Sequence, residues 1–257
     1  MEAIICYNPA MATPLNPSAH AICEFATTEW SVVLRARNCL DDATNLALAT
    51  LCKRYWFPLY AYIRRHVSDV NEAQDLTQGF FAQLLETNLI GRAEPERGRF
   101  RSFLLVSCKN FLANERDRSR AQKRGGAVKR LSLDFDSGES RVSLEPSHEL
   151  TPDRLFERKW ALVLLDVTID RLRAEYVARD QLSQFELLKQ GLTGDRSRSG
   201  YVATAERLGA TEAAARQSGH RLRKRFRELL REEVAKTVAD PSQINDEIQR
   251  LFKSLER

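Results

Sequence analysis

Residues 201–215 read Tyr-Val-Ala-Thr-Ala-Glu-Arg-Leu-Gly-Ala-Thr-Glu-Ala-Ala-Ala. A short helix ends at Leu208, Gly209 permits a tight turn, and Thr211 can cap the next helix. Glu212 falls in the first turn of that helix, where the dipole favours an acid. This is the form of a helix-turn-helix. The second helix continues through Leu230, with Ala215, Gly219, Leu222, Phe226, Leu229 and Leu230 on one apolar stripe. A glycine inside a helix costs about 1 kcal/mol relative to alanine. Gly219 on the buried stripe therefore predicts a close helix crossing. Ala213, Gln217, His220, Arg221 and Lys224 face away from the stripe. Glutamine suits adenine in a major groove, and arginine or lysine suits guanine and phosphate.

The charge pattern points the same way. The chain has 257 residues and a formal net charge of only +5. Residues 216–231 carry a local +6 and residues 92–130 a local +8, so the remainder is acidic at −9. Two separated basic blocks suggest two contacts with a polyanion. With 43% hydrophobic residues, few Gly and Pro, and a bias to Leu, Ala, Arg and Glu, an all-α fold with real cores is expected. No apolar run approaches the roughly 20 residues of a membrane span. The first basic residue is Arg35, so the charged start of a secretory signal is missing. Five Cys without a C-x-x-C pair argue against a disulfide framework or a zinc finger, and cytoplasm is the default setting. Four scattered His give no ligand set, and no cofactor is expected.

Upstream of the helix-turn-helix the chain divides into segments. Residues 1–28 carry repeated Pro- and Thr-bearing turns and read as a poorly ordered leader, in which Met11 is an alternative start. A helix begins near Asp41, with Leu48, Leu51, Tyr55, Leu59 and Ile63 in register, and Pro58 is expected to kink or interrupt it. Asp69 with Glu72 opens a second helix running to about Asn88. Its stripe is Ala73, Leu76, Phe80 and Leu84. Gln78, Phe81 and Leu85 lie on another face, which fits either a helix buried on two sides or a docking face. A third helix, about 99–124, aligns Phe100, Phe103, Leu104, Ser107 and Phe111. Lys109, Arg116, Arg120, Lys123 and Arg124 lie opposite, as repeated phosphate contacts require. Residues 131–153 hold six acids against the single Arg141 and read as a linker. Its Asp134-Phe135-Asp136 is weak evidence for a metal. Helical periodicity resumes near Pro152 with Leu155, Phe156, Trp160, Leu164, Val167 and Leu172. Another helix is expected around 184–192, then a polar loop at 193–199. Finally Asp240-Pro241 opens a terminal amphipathic helix with Ile244, Ile248, Leu251, Phe252 and Leu255 inward. That helix either packs on its own domain or docks a partner.

Together these segments resemble bacterial RNA polymerase sigma factors of the sigma-70 family, in the extracytoplasmic-function (ECF) class. Asp75-Leu-Thr-Gln-Gly-Phe-Phe-Ala-Gln-Leu-Leu85 looks like the family helix that docks on polymerase. Phe100-Arg-Ser-Phe-Leu-Leu-Val-Ser-Cys-Lys-Asn-Phe-Leu-Ala-Asn-Glu-Arg116 resembles the segment that opens and reads the minus-10 element. Residues 201–225 are similar to the minus-35 reader. Phe103 stands where the family often has Trp, and Ala215 and Gly219 replace bulkier residues.

The resemblance implies two helical domains joined by a flexible linker, the second containing the helix-turn-helix. Residues 29–127 would be the region 2-like domain, 128–152 the acidic linker, 153–235 the region 4-like domain, and 236–257 a C-terminal amphipathic helix. It implies core RNA polymerase and promoter DNA as partners, and no catalysis. Asp75, Gln78, Phe81 and Leu85 would meet polymerase. Lys109, Asn110, Asn114, Arg116, Arg120 and Lys123 would line minus-10 DNA, and Ala213, Gln217, His220, Arg221 and Lys224 the minus-35 duplex. The tail, longer than the minimal plan, points to an anti-sigma partner or to self-regulation. A regulator that binds operators without polymerase is the alternative. A metal-dependent nuclease would need a carboxylate cluster, and the acids here sit mainly in the linker and at helix ends.

Overall fold

The computed structural model describes residues 42–86, 89–94, 98–121, 133–135, 138–139, 150–193 and 198–256. The leader lies outside them, as do Lys123 and most of the linker. The described residues are helical, with no strand among them. Helix α1 spans Asp42–Arg64, α2 Val70–Glu86, α3 Phe100–Ala121 and α4 Pro152–Val177. Then come α5 Leu182–Leu188, a single turn Gln190–Thr193, α6 Arg198–Leu208, α7 Glu212–Ala235 and α8 Ile244–Leu255.

The helix starts follow their capping residues. Glu72 N–H donates to Asp69 Oδ1 at 2.7 Å, and Arg154 N–H to Thr151 Oγ1 at 3.3 Å ahead of Pro152. Asp240 accepts from Ser242 N–H at 2.8 Å before a 3-10 turn, Pro241–Gln243, leads into α8. Each cap satisfies an amide that the helix itself leaves unpaired.

Of the two outcomes expected at Pro58, a kink or an interruption, the second does not occur: one helix continues through it. The lost hydrogen bond is offset by burial on all sides, since every residue from Phe57 to Ile63 is inaccessible to water. Helices α2 and α4 cover two flanks of α1. The described linker residues cover a third: Phe135 lies edge-on to Trp56 and Tyr60 at 5.7 and 5.3 Å. Glu139 accepts from Tyr60 Oη at 2.6 Å and from both Nε and Nη2 of Arg64 at 3.0 and 2.9 Å. This bidentate pair holds the Glu139 carboxyl below the usual range. Gly138 sits so close that a Cβ there would come within 2.9 Å of Trp56. The linker is therefore anchored at these points, and Phe135 of the Asp134-Phe135-Asp136 triplet is a packing residue.

Two apolar clusters result, consistent with two helical units. The first joins α1, α2 and α3 to Phe156, Trp160, Ala161 and Leu164 of α4, Leu230 and Val234 of α7, and Ile244 and Leu251 of α8. The second holds Leu172 and Tyr176 of α4, Phe185 and Leu188 of α5, and Leu222 and Leu229 of α7. Thus α4 and α7 belong to both. Burial pushes the thiols of Cys52 and Cys108 in the first cluster up to about 12, so both stay protonated.

Candidate nucleic-acid interface

The turn between α6 and α7 is built as its residues demand. Gly209 has φ +60°, a region that L side chains rarely adopt. Its N–H donates to Glu206 O at 3.2 Å, and Ala210 N–H reaches back to Ala205 O at 3.0 Å. This is the Schellman pattern that closes a helix. Thr211 Oγ1 then accepts from Ala214 N–H at 3.2 Å, and Glu212 pairs with Arg216 one turn on. Gly219 does mark a close crossing: a Cβ there would lie 3.1 Å from the ring of Tyr201 on α6. Arg223 donates to Tyr201 Oη at 2.8 Å and fixes the approach.

With Ala215, Gly219, Leu222, Leu229 and Leu230 buried, the outward set is exposed as expected: Ala213, Gln217, His220, Arg221 and Lys224. Beside it is a cleft of about 440 Å³ lined by Tyr176, Arg179, Gln181, Gln184, Ser218, Arg221 and Arg225. Sequence reasoning missed Arg179, Gln181 and Gln184, because they belong to the α4–α5 connection and the first turn of α5. Asp180, at φ +56°, turns the chain there and brings them to α7. Aspartate tolerates this conformation better than most residues, and that is the one local signal for the turn.

Arg225 is largely neutralised in place. Glu175 accepts from its Nη2 and Nε at 2.7 and 3.0 Å, and Glu228 from its Nη1 at 3.1 Å. These bonds raise the Arg225 pKa further and hold Glu175 below the usual carboxylate range. Arg179 meets Glu175 only at 4.0 Å, and Arg221 donates to the neutral Ser218 Oγ at 3.2 Å. These two arginines, with two carboxamides, give the cleft the chemistry of a phosphate site.

The other basic face is on α3. Lys109, Asn110, Asn114 and Arg116 are exposed, and Arg120 lies further along the same helix. Lys109 forms an exposed pair with Asp153 at the start of α4, 2.6 Å away. Such a pair contributes little and can yield to a phosphate. Two basic residues of this block turn inward instead. Arg99 and Arg101 both reach the fully buried Glu247 of α8, and Arg101 also meets Glu157 at 2.7 Å.

The expected polymerase face needs correction. Asp75 is exposed and Gln78 and Leu85 are half-buried, but Phe81 is fully buried, with its ring 5.6 Å from that of Phe80. Helix α2 is buried on two sides, and Phe81 is core. Phe252 departs in the opposite direction: it is 48% exposed, while Glu247 occupies the inner face of α8. No helix among the described residues is long and apolar enough to cross a membrane.

Comparison with known proteins adds no identification: no family model, no curated protein and no solved structure matches this chain.

Proposed function

We propose that this chain is a promoter-specificity subunit of the sigma-70 type, which binds core RNA polymerase and directs it to promoter DNA. The observation that carries the reading is the capped, Schellman-closed α6–α7 pair. It presents Gln217, His220, Arg221 and Lys224 to solvent beside a cleft rich in arginine and carboxamide. Inserted in a major groove, the outward residues would read base edges while Arg179 and Arg221 hold phosphates. The exposed run Lys109, Asn110, Asn114 and Arg116 would engage the opened strand, where amides bond to base edges and cations to the backbone. No step of this function makes or breaks a bond, so the chain would act by binding alone, in the cytoplasm.

The second reading, an operator-binding regulator that works without polymerase, is favoured by one observation. Phe81, the most apolar element of the expected docking face, is unavailable at the surface. The two readings separate with Gln78→Ala combined with Leu85→Ala, which spares the core at Phe81. Loss of binding to core polymerase with duplex binding intact supports the first reading. Unchanged behaviour in both assays supports the second.

A further inference from the structure

Three elements each send polar side chains into the cleft beside α7: Tyr176 and Arg179 from the end of α4, Gln181 and Gln184 from the start of α5, and Ser218 and Arg221 from α7 itself. Tyr176 and Ser218, each 9% exposed, lie deepest, while Arg179, Gln181 and Arg221 are exposed at the rim. Burial raises the pKa of the Tyr176 hydroxyl, and Arg179 and Arg221 both pull it back, so both guanidinia stand close to that one phenol. Neither guanidinium is hydrogen-bonded to a carboxylate among the described residues. Arg179 comes no nearer than 4.0 Å to Glu175, whose oxygens already accept from Arg225 at 2.7 and 3.0 Å. The Arg221 guanidinium meets the neutral Ser218 Oγ, at 3.2 Å.

Charge and size narrow the occupant. Arg225 and Glu175 satisfy one another through their paired bonds, which leaves Arg179 and Arg221 to face an incoming anion. A DNA backbone phosphate carries one negative charge, whereas a phosphate monoester carries about −1.5 to −2 at neutral pH and so suits two guanidinia better. The cleft encloses about 440 Å³, the room of about fifteen waters at ~30 Å³ each and within the roughly 300–1,000 Å³ of small-ligand sites. A lone phosphate group leaves most of that space unfilled. Gln181 and Gln184 each add a donor and an acceptor, the combination that pairs with the edge of a nucleobase. A phosphate monoester joined to a hydrogen-bonding ring meets each of these demands.

We infer that this cleft binds a nucleoside monophosphate, with the phosphate on Arg179 and Arg221 and the base at Gln181 and Gln184, and that the bound nucleotide competes with DNA. The competition follows from Arg221, which belongs both to the cleft and to the outward face of α7. A guanidinium turned into the cleft by a bound phosphate is withdrawn from the groove. The nucleotide site rests on the cleft alone; the competition rests on the DNA-reading function proposed above.

The test uses the full chain and calorimetric titration with AMP, GMP, CMP and UMP. At least one of them should bind with a Kd below about 1 mM. Its nucleoside, which lacks the phosphate, and O-phosphoserine, which lacks the ring, should each bind at least about tenfold more weakly. Arg179→Gln should weaken the nucleotide about tenfold, while Arg227→Gln, the same charge change on α7 outside the cleft, should leave it unchanged. Both positions are exposed, so neither change reaches a core. Failure of all four nucleotides to bind overturns the site. Equal affinity for O-phosphoserine or for the nucleoside overturns it too, as does unchanged affinity in Arg179→Gln. Duplex binding supplies the second arm. Nucleotide at about ten times its Kd should weaken binding of a minus-35-type duplex about tenfold by simple competition. Duplex affinity unmoved by saturating nucleotide overturns the competition. A chain that binds nucleotide and no duplex refutes the DNA reading and upholds the site; one that binds duplex and no nucleotide does the reverse.

Discussion

The two basic blocks look alike in a charge count and behave differently in the fold. In residues 216–231 the basic side chains stay at or near the surface; Arg221 and Lys224 face outward, and Arg225 is balanced by Glu175 at a cleft wall. In residues 92–130 Arg99 and Arg101 point into the protein, where Glu157 and Glu247 neutralise them. The local +8 therefore overstates the face that DNA could meet. Charge gives the number of contacts available, and only the position of each residue on its helix says which contacts are already taken.

Replacing one arginine in each block gives the strongest contrast. Arg101→Ala leaves Glu247 and Glu157 short of a partner and should destabilise the fold by about 3–5 kcal/mol in denaturant unfolding. Arg221→Ala should shift stability by no more than about 0.5 kcal/mol. It should also weaken binding of a minus-35-type duplex and lower the salt slope by about 1. The contrast breaks if Arg221→Ala unfolds the protein or if Arg101→Ala is neutral.

The shared helix predicts the next largest effect. Trp160→Ala removes a fully buried ring from the first cluster and the platform under Arg101, at a cost of about 3–5 kcal/mol. Because α4 and α7 serve both clusters, melting should remain one transition. A second cluster that unfolds separately, followed by exchange at Phe185 and Leu188, would show that the clusters are independent.

Acid should act on three ion-paired carboxyls. The carboxyls of Glu139 and Glu175 are held low by Arg64 and Arg225 respectively. At Glu233 burial pushes the carboxyl up, but Lys236, Arg54 and Arg171 together bring it below the ordinary value of 4.5. A depressed carboxyl contributes stability above its unfolded value and loses it as pH falls through the folded one. Stability should thus be level from neutral pH to about 5 and decline below 4.5. A decline beginning near pH 6 would contradict this assignment to the carboxyls. The smallest effect is expected at Gly219→Ala. The helix gains propensity, but the new Cβ meets Tyr201 at 3.1 Å. The two should nearly cancel, leaving a loss of at most about 1 kcal/mol in thermal unfolding.

The all-α fold was legible, as were the starts of α2, α4 and α7, because caps and period are local signals: Asp69 and Thr211 act where they stand, the period resumes near Pro152, and Asp240 caps the 3-10 turn that leads into α8. The outward set on α7 was legible for the same reason. What failed depended on the partner elements. Phe81 lies off the main stripe of α2, and only the neighbours packed there show that its face is inside. Arg101 had a signal that charge obscured: residues 101, 105, 108 and 112 form a regular buried stripe. Glu247 falls in the same way between Ile244 and Leu251. Arg179, Gln181 and Gln184 could not be found from their own segment, since the turn at Asp180 aims them at a helix 40 residues downstream.

Reconstituted transcription tests the central claim most directly. Core bacterial polymerase with the purified chain is presented with genomic fragments, and start sites are mapped. The account predicts discrete start sites that require the chain and disappear with Arg221→Ala. Tight duplex binding by the chain, with no start site that depends on it, would contradict the account and leave the polymerase-independent regulator standing.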